Sequence, residues 1–336
     1  MKRPTIADIA RRAGVSKGAV SYALNGRPGV SAATRRRIIE IAAEIGWQPS
    51  SAARALSDGR ADVLGLVVDR PARTLGLEPF FMQLISGIEG ALAARSIGLL
   101  LQMTEDQRTE LEIYRRWWAQ RRVDGVILVD LRLDDPRVRL LEELRLPAVV
   151  IGGPEGVGGL PAVWSDDGEA IRAVVEYLAA LGHRSIARVA GPATLRHTEL
   201  RTKVMDEVAA ELGAETVTLY TDYSGEEGAA ATRTLLARRS RPTAIVYDND
   251  VMAVAGAAVA QEMGIVVPDR LSIVAWDDSP LCRLVHPRMS AVSRDIAAYG
   301  AHAVECLLDV IAGREVTGFQ DATPKFVPRG STAPPS

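Results

Sequence analysis

Polar and apolar positions in residues 5–25, TIADIARRAGVSKGAVSYALN, repeat with the period of two short helices separated by a turn. Ile6, Ile9 and Ala10 share one face of the first helix. Thr5 stands at its N-cap with Asp8 three residues on, and Gly14 supplies the left-handed residue that ends it. Ser16 is the N-cap signal of the second helix, whose inner face carries Val20 and Leu24. Lys17, Gly18, Ser21, Tyr22 and Asn25 then point outward. A third pattern opens at Ser31, runs through Thr34, Ile38, Ile41 and Ile45 to Gly46, and is closed by Trp47 and Pro49. Helix, glycine-containing turn, helix is the arrangement that sets a recognition helix into the DNA major groove. An ordinary helical hairpin is the alternative.

From Ala61 the period changes. Apolar runs of strand length occupy 63–68, 97–103, 125–129 and 148–151, separated by helical periodicities at 81–95, 107–121 and 136–145. The cycle restarts after residue 162, with strand-like runs at 186–190, 216–220, 243–247 and 271–276. Such alternation predicts α/β architecture: parallel sheets covered by helices on both faces, in two lobes with a cleft between them. Ligands of such sheets bind outside the strand C-termini.

Charge divides along the same boundary. Residues 1–61 hold 11 Lys and Arg against 4 Asp and Glu, a net of +7, and the remainder holds 29 against 38, a net of −9. A basic head on an acidic body suits a polyanionic partner for the head alone. A length of 336 residues suits two or three domains. Two cysteines, Cys282 and Cys306, make no disulfide framework, so a reduced cytoplasmic setting is expected. Asp8, Arg11 and Arg12 interrupt any signal-peptide core, and the longest apolar stretch, 251–260, has about half the length needed to span a bilayer.

The N-terminal string resembles the DNA-binding headpiece of the lactose-repressor (LacI/GalR) family of bacterial transcription regulators. The resemblance is carried by Thr5-Ile6-Ala7-Asp8-Ile9-Ala10, Ala13-Gly14-Val15-Ser16, Val20-Ser21, Leu24-Asn25, Val30-Ser31, Thr34-Arg35, Gly46-Trp47-Gln48-Pro49 and Ala53-Arg54-Ala55-Leu56. It continues through Glu78-Pro79-Phe80-Phe81, Val123-Asp124-Gly125, Ser165-Asp166-Asp167, Leu181-Gly182-His183, Asn249-Asp250-Val251-Met252 and Trp276-Asp277-Asp278. It implies an all-α helix-turn-helix headpiece at 1–49, a hinge helix and linker at 50–60, and an effector-binding body at 61–331 that resembles periplasmic binding proteins. Lobe 1 would span about 61–161 and 294–322, and lobe 2 about 162–293 and 323–331.

The recognition helix makes Lys17 and Tyr22 candidate base contacts, since a residue at its start and one five later both face the groove. Thr5, Ser16, Ser21, Asn25 and Ser31 would hold the headpiece in register, and Arg35 would reach phosphate. By resemblance, Ala53 and Leu56 belong to a hinge helix that orders on DNA, with Leu56 wedged into a minor-groove base step. So short a segment is not a stable helix on its own in water. In the body, Phe80 and Phe81 could offer an aromatic wall, Arg201, Asn249 and Asp277 match family effector positions, and Trp164 and Arg294 complete the set. Rings cover apolar sugar faces and charged groups bond hydroxyls, so a sugar or sugar derivative is the expected ligand, with a purine or other metabolite as the second choice. Asp166, Asp167, Asp248 and Asp250 are expected to cap helices instead.

Other chemistry is set aside. Gly152-Gly153 through Gly158-Gly159 lacks nucleotide-loop spacing, and His183, His197, His286 and His302 show no metal-ligand pairing. No nucleophile elbow or zinc-protease motif is present, so no enzyme, cofactor or metal is expected. The sequence therefore reads as a DNA-binding repressor with a small-molecule sensor, a homodimer on a pseudo-palindromic operator. The tail after Phe326 carries no apolar heptads for a tetramer-forming helix. A cytoplasmic sugar-binding or sugar-processing α/β protein with an incidental head is the alternative.

Overall fold

The computed structural model describes residues 4–47, 60–70 and 76–336. The chain divides at Ala61 into two compact units, each taken by itself.

The first unit holds α1 (Ile6–Ala13), α2 (Lys17–Leu24) and α3 (Ala32–Glu44). The Asp8 carboxylate accepts both the Thr5 N–H (2.9 Å) and the Thr5 hydroxyl (2.7 Å). Gly14 ends α1 at φ 66°, where a side chain would be strained. The Ser16 hydroxyl accepts from the Ala19 N–H at 3.1 Å, and that of Ser31 accepts from Thr34 N–H at 3.2 Å. Ile9, Val20 and Ile38 are wholly buried among Ala10, Ala13, Ala23 and Ala42, so the periodic positions of the sequence form one small core. The predicted hinge, with Ala53 and Leu56, lies outside the described residues.

The second unit contains two six-stranded sheets. The first takes the order β11-β5-β4-β3-β1-β2: β1 (Val63–Asp69), β2 (Gly98–Thr104), β3 (Gly125–Leu128), β4 (Ala148–Ile151), β5 (Ala162–Trp164) and β11 (Gly318–Gln320). Helices α4 (Pro79–Ala93), α5 (Gln107–Ala119), α6 (Pro136–Leu144) and α12 (Ile296–Ile311) accompany it. The second sheet takes the order β12-β10-β9-β8-β6-β7: β6 (Ser185–Ala190), β7 (Glu215–Tyr220), β8 (Ala244–Tyr247), β9 (Ser272–Trp276), β10 (Ser290–Ser293) and β12 (Lys325–Val327). Its helices are α7 (Asp167–Ala180), α8 (Arg196–Glu211), α9 (Gly225–Leu236), α10 (Asp250–Glu262) and α11 (Pro280–Leu284). Every pairing is parallel except β10 with β12.

Strands β3, β4, β8 and β9 are buried along their whole length, which accounts for their continuous apolar runs. Two core clusters form around each sheet. Trp117 packs so closely on β1 that a Cβ at Gly65 would lie 2.5 Å from its ring. Its neighbour Trp118 is half exposed, so the Arg-rich helix α5 has one packed and one outer indole.

The chain crosses between lobes after Trp164, after Ser293 and between Gln320 and Lys325. The first crossing falls later than the boundary expected at 161/162, because Ala162–Trp164 pairs with β4 and β11 in the first sheet. Three-residue strands such as β5, β11 and β12 are too short to show alternation, and none was expected from the sequence. The tail docks on lobe 2: Ile273 N–H donates to Ser331 O (2.9 Å), and the Ser331 hydroxyl donates to Ile273 O (2.6 Å).

Candidate functional site

A cavity of about 380 Å³ lies between the lobes, lined from both. Arg70 follows β1, Glu78 stands at the N-terminus of α4 without a capping side-chain bond, Phe80 and Phe81 lie in the first turn of that helix, and Asp130 follows β3. From lobe 2 come Arg196, His197 and Arg201 on α8, Tyr223 after β7, Asp248 after β8 and Asp277 after β9. Ser165, Asp167 and Arg294 enter from the crossings, and Tyr299 from α12. The site thus gathers at strand C-termini, where open parallel sheets leave room and helix N-termini converge. Asp130 (φ 51°), Tyr223 (φ 70°) and Asp277 (φ 60°) all hold left-handed backbone, a strain that folded proteins concentrate at functional positions.

The charged side chains interlock. Arg201 donates to Asp167 and its guanidinium lies 3.9 Å above the Trp276 ring. Arg294 donates to Asp277 at 3.1 Å, approaches Asp167 at 3.7 Å, and covers Phe80 at 5.2 Å. Arg70 meets Asp130 at 2.7 Å and Glu78 at 3.6 Å. Beneath the floor, Arg188 pairs with Asp248 through two hydrogen bonds, of 2.8 and 2.7 Å. His197 shares a 2.7 Å hydrogen bond with the Tyr223 hydroxyl.

Burial and pairing set the protonation states. Burial would raise the Asp167 carboxyl, but Arg201 and Arg294 outweigh it and hold it down to about 2. Burial pushes Glu78 up to about 8, against the pull of Arg70, so at neutral pH it is largely a neutral acid. Burial also raises Asp277, and Arg294 offsets this only in part. His197 is pushed down to about 4 by burial and then by Arg201, which leaves it neutral.

Of the residues expected from sequence, Phe80, Phe81, Arg201, Asp277 and Arg294 line the cavity. Asn249 does not. It is buried at the N-cap of α10, where its Oδ1 accepts from Met252 N–H (2.8 Å) and its Nδ2 donates to Tyr223 O (3.0 Å), which leaves the amide committed to the backbone. Trp164 does not line it either, because it ends β5 and packs with the core on the α5 side of lobe 1. Two expected caps also change role. Asp166 does cap α7, but Asp167 and Asp248 turn to the arginines and line the cavity. Arg70, Glu78, Asp130, His197, Tyr223 and Tyr299 were not singled out from sequence. A signal existed for Arg70 and Asp130, since each is a charged residue just beyond a buried apolar strand.

In the first unit, Lys17, Tyr22 and Asn25 are exposed along α2, Tyr22 to 46%, and Ser21 is half-buried beside them. Thr5, Ser16 and Ser31 are spent on helix caps. Arg35 is half-buried and donates to Arg27 O at 2.6 Å, so it ties the loop before α3.

The profile of bacterial regulatory proteins of the lacI family matches residues 5–50, and that of the periplasmic binding protein-like domain matches 175–332. The HTH-type transcriptional regulator CelR of Thermobifida fusca is 33% identical over 317 residues, 93% of each chain. The chain belongs to the LacI family of bacterial transcriptional regulators. Among LacI-family structures, a CelR–cellobiose complex is 30% identical with a TM-score of 0.75, covering 98% of this chain and all of that one. A lac repressor dimer bound to operator and the anti-inducer ONPF is 25% identical with a TM-score of 0.86, covering 99% of this chain and all of that one. No helix among the described residues is long and apolar enough to cross a membrane.

Proposed function

We propose that this LacI-family regulator is a cytoplasmic, non-enzymatic repressor that binds a pseudo-palindromic operator as a homodimer and is controlled by a sugar or sugar derivative held between its lobes. The observation that carries the reading is the cavity itself, walled by Phe80 and Phe81 from one lobe and Arg201 and Asp277 from the other. Aromatic faces suit apolar sugar faces, and guanidinium and carboxylate groups suit hydroxyls. The relative crystallised with cellobiose supports the same ligand class. Exposed Lys17 and Tyr22 support base contact from α2, and Leu56 is proposed as the minor-groove wedge by family resemblance.

A ligand changes DNA affinity only if it binds the DNA-competent and incompetent lobe arrangements unequally. Filling a cavity lined from both lobes meets that condition, and release of the operator is the expected polarity. The test is anisotropy of a labelled operator with full-length protein, with sugars added singly. A sugar that raises the operator Kd supports the reading. Binding of sugar with no change in operator affinity contradicts it.

A further inference from the structure

Each deep guanidinium in or just beneath the cavity has an aspartate partner. Arg70 pairs with Asp130 (2.7 Å), Arg188 with Asp248 (2.7 Å), Arg294 with Asp277 (3.1 Å), and Arg201 with Asp167. Arg196, half-buried, lies 4.0 Å from the exposed Glu155, and Lys203 and Glu199 are exposed beside it. One carboxyl is left over. Glu78 is 6% exposed and lies 3.6 Å from the Nε of Arg70, whose terminal nitrogen Asp130 already engages. Glu78 Oε2, Arg70 Nε and Asp130 Oδ2 all lack a hydrogen-bond partner among the described residues, so the Arg70–Asp130 contact is an ion pair with hydrogen-bonding capacity to spare. Buried polar groups left unsatisfied are uncommon in folded proteins, and each calls for a partner.

Resting on the sugar reading above, we infer that the effector is uncharged, and that the Arg70–Glu78–Asp130 corner reads its hydroxyls. A phosphate or carboxylate entering the cavity finds every deep guanidinium paired. It would have to displace an aspartate and leave that charge buried and uncompensated. A hydroxyl both donates and accepts, so it complements an under-bonded carboxyl and guanidinium with no change in net charge. The corner is thus a specificity device against phosphorylated and acidic sugars.

The test is a thermal-shift and calorimetric panel on the full-length protein: glucose, cellobiose, maltose and the 6-phosphate of each. A neutral sugar is expected to bind at least tenfold tighter than its own phosphate. Tighter binding of a phosphate than of its parent overturns the inference and leaves the sugar reading standing. Binding by none of the six overturns both. A second arm uses Glu78→Gln combined with Asp130→Asn, which removes the ionised partner of Arg70 and the acid beside it. The phosphate-to-parent affinity ratio is expected to rise at least tenfold, and an unchanged ratio removes the corner from the account.

Discussion

The Arg196 N–H donates to the Leu131 carbonyl at 2.9 Å, so the first residue of α8 in lobe 2 is hydrogen-bonded to the loop after β3 in lobe 1. A second bond, from Leu133 N–H to Thr194 O at 2.8 Å, completes an antiparallel bridge. The lobes are therefore joined beside the cavity by main chain as well as by side chains. Arg196 is the first helical residue, where proline is tolerated, and Leu195 before it is already extended. Arg196→Pro is expected to bind effector more weakly than Arg196→Ala by about 0.5–1.5 kcal/mol, one net hydrogen bond. Calorimetry on the two variants measures the difference, and equal affinities would show that the bridge does not contribute to effector binding.

Glu78 makes stability depend on pH. Its carboxyl titrates near 4.5 in an unperturbed chain and is raised to about 8 here by burial, so the folded state keeps a proton the unfolded state has released. The stabilisation from that proton is complete below 4.5 and is lost as pH rises through about 8. Asp250, raised to about 7 by burial, acts in the same direction, so a difference measurement is needed. Wild type is expected to lose Tm relative to Glu78→Gln between pH 5 and 8.5, by about 2–4 °C for each kcal/mol. Parallel Tm profiles would show that Glu78 is not a buried neutral acid.

Asn249 separates capping from ligand contact. Because its amide is spent on Met252 and Tyr223, Asn249→Ala is expected to cost about 0.5–2 kcal/mol of stability as a lost N-cap. Effector affinity of the folded variant should stay within about threefold, less than one typical hydrogen bond. Asp277→Ala is expected to behave oppositely at the DNA level, leaving operator affinity intact and abolishing the response to sugar. Denaturant unfolding and anisotropy together distinguish the two, and an Asn249→Ala protein that folds normally but ignores sugar would restore Asn249 to the site.

On α2, Tyr22→Ala is expected to weaken operator binding by about 1–3 kcal/mol, the scale of one discriminating contact. The side chain is 46% exposed, so the headpiece should stay folded by circular dichroism. Unchanged operator affinity would mean that Tyr22 does not touch DNA.

The three headpiece helices were legible through periodic apolar faces, and most strands of the body through continuous apolar runs that the sheets bury on both sides. Strands β5, β10, β11 and β12 were not: three of them have only three residues, and β10 carries a serine at each end of two apolar positions. Among the cavity-lining residues, Arg201 and Asp277 were expected through family resemblance, and Phe80, Phe81 and Arg294 from the chemistry that a sugar needs. Asn249 lies outside the cavity lining because a residue at a helix N-terminus can turn its amide to the backbone or to the cavity, and sequence does not say which. Asp167 was missed for the mirror reason: its neighbour Asp166 does the capping, which frees Asp167 for Arg201. Arg70 and Asp130 carried the signal of a charge just beyond a buried strand, but their meeting with Glu78 is tertiary, drawn from three separate segments of lobe 1.

The most direct test of the central claim is operator affinity of the full-length protein with and without bound sugar, on a duplex the protein itself selects from random sequence. Anisotropy in saturating cellobiose, or whichever neutral sugar of the panel binds, is predicted to show at least a tenfold rise in operator Kd, the about 1.4 kcal/mol expected of allosteric coupling. The same Kd in the presence of sugar that calorimetry shows to be bound would contradict the account.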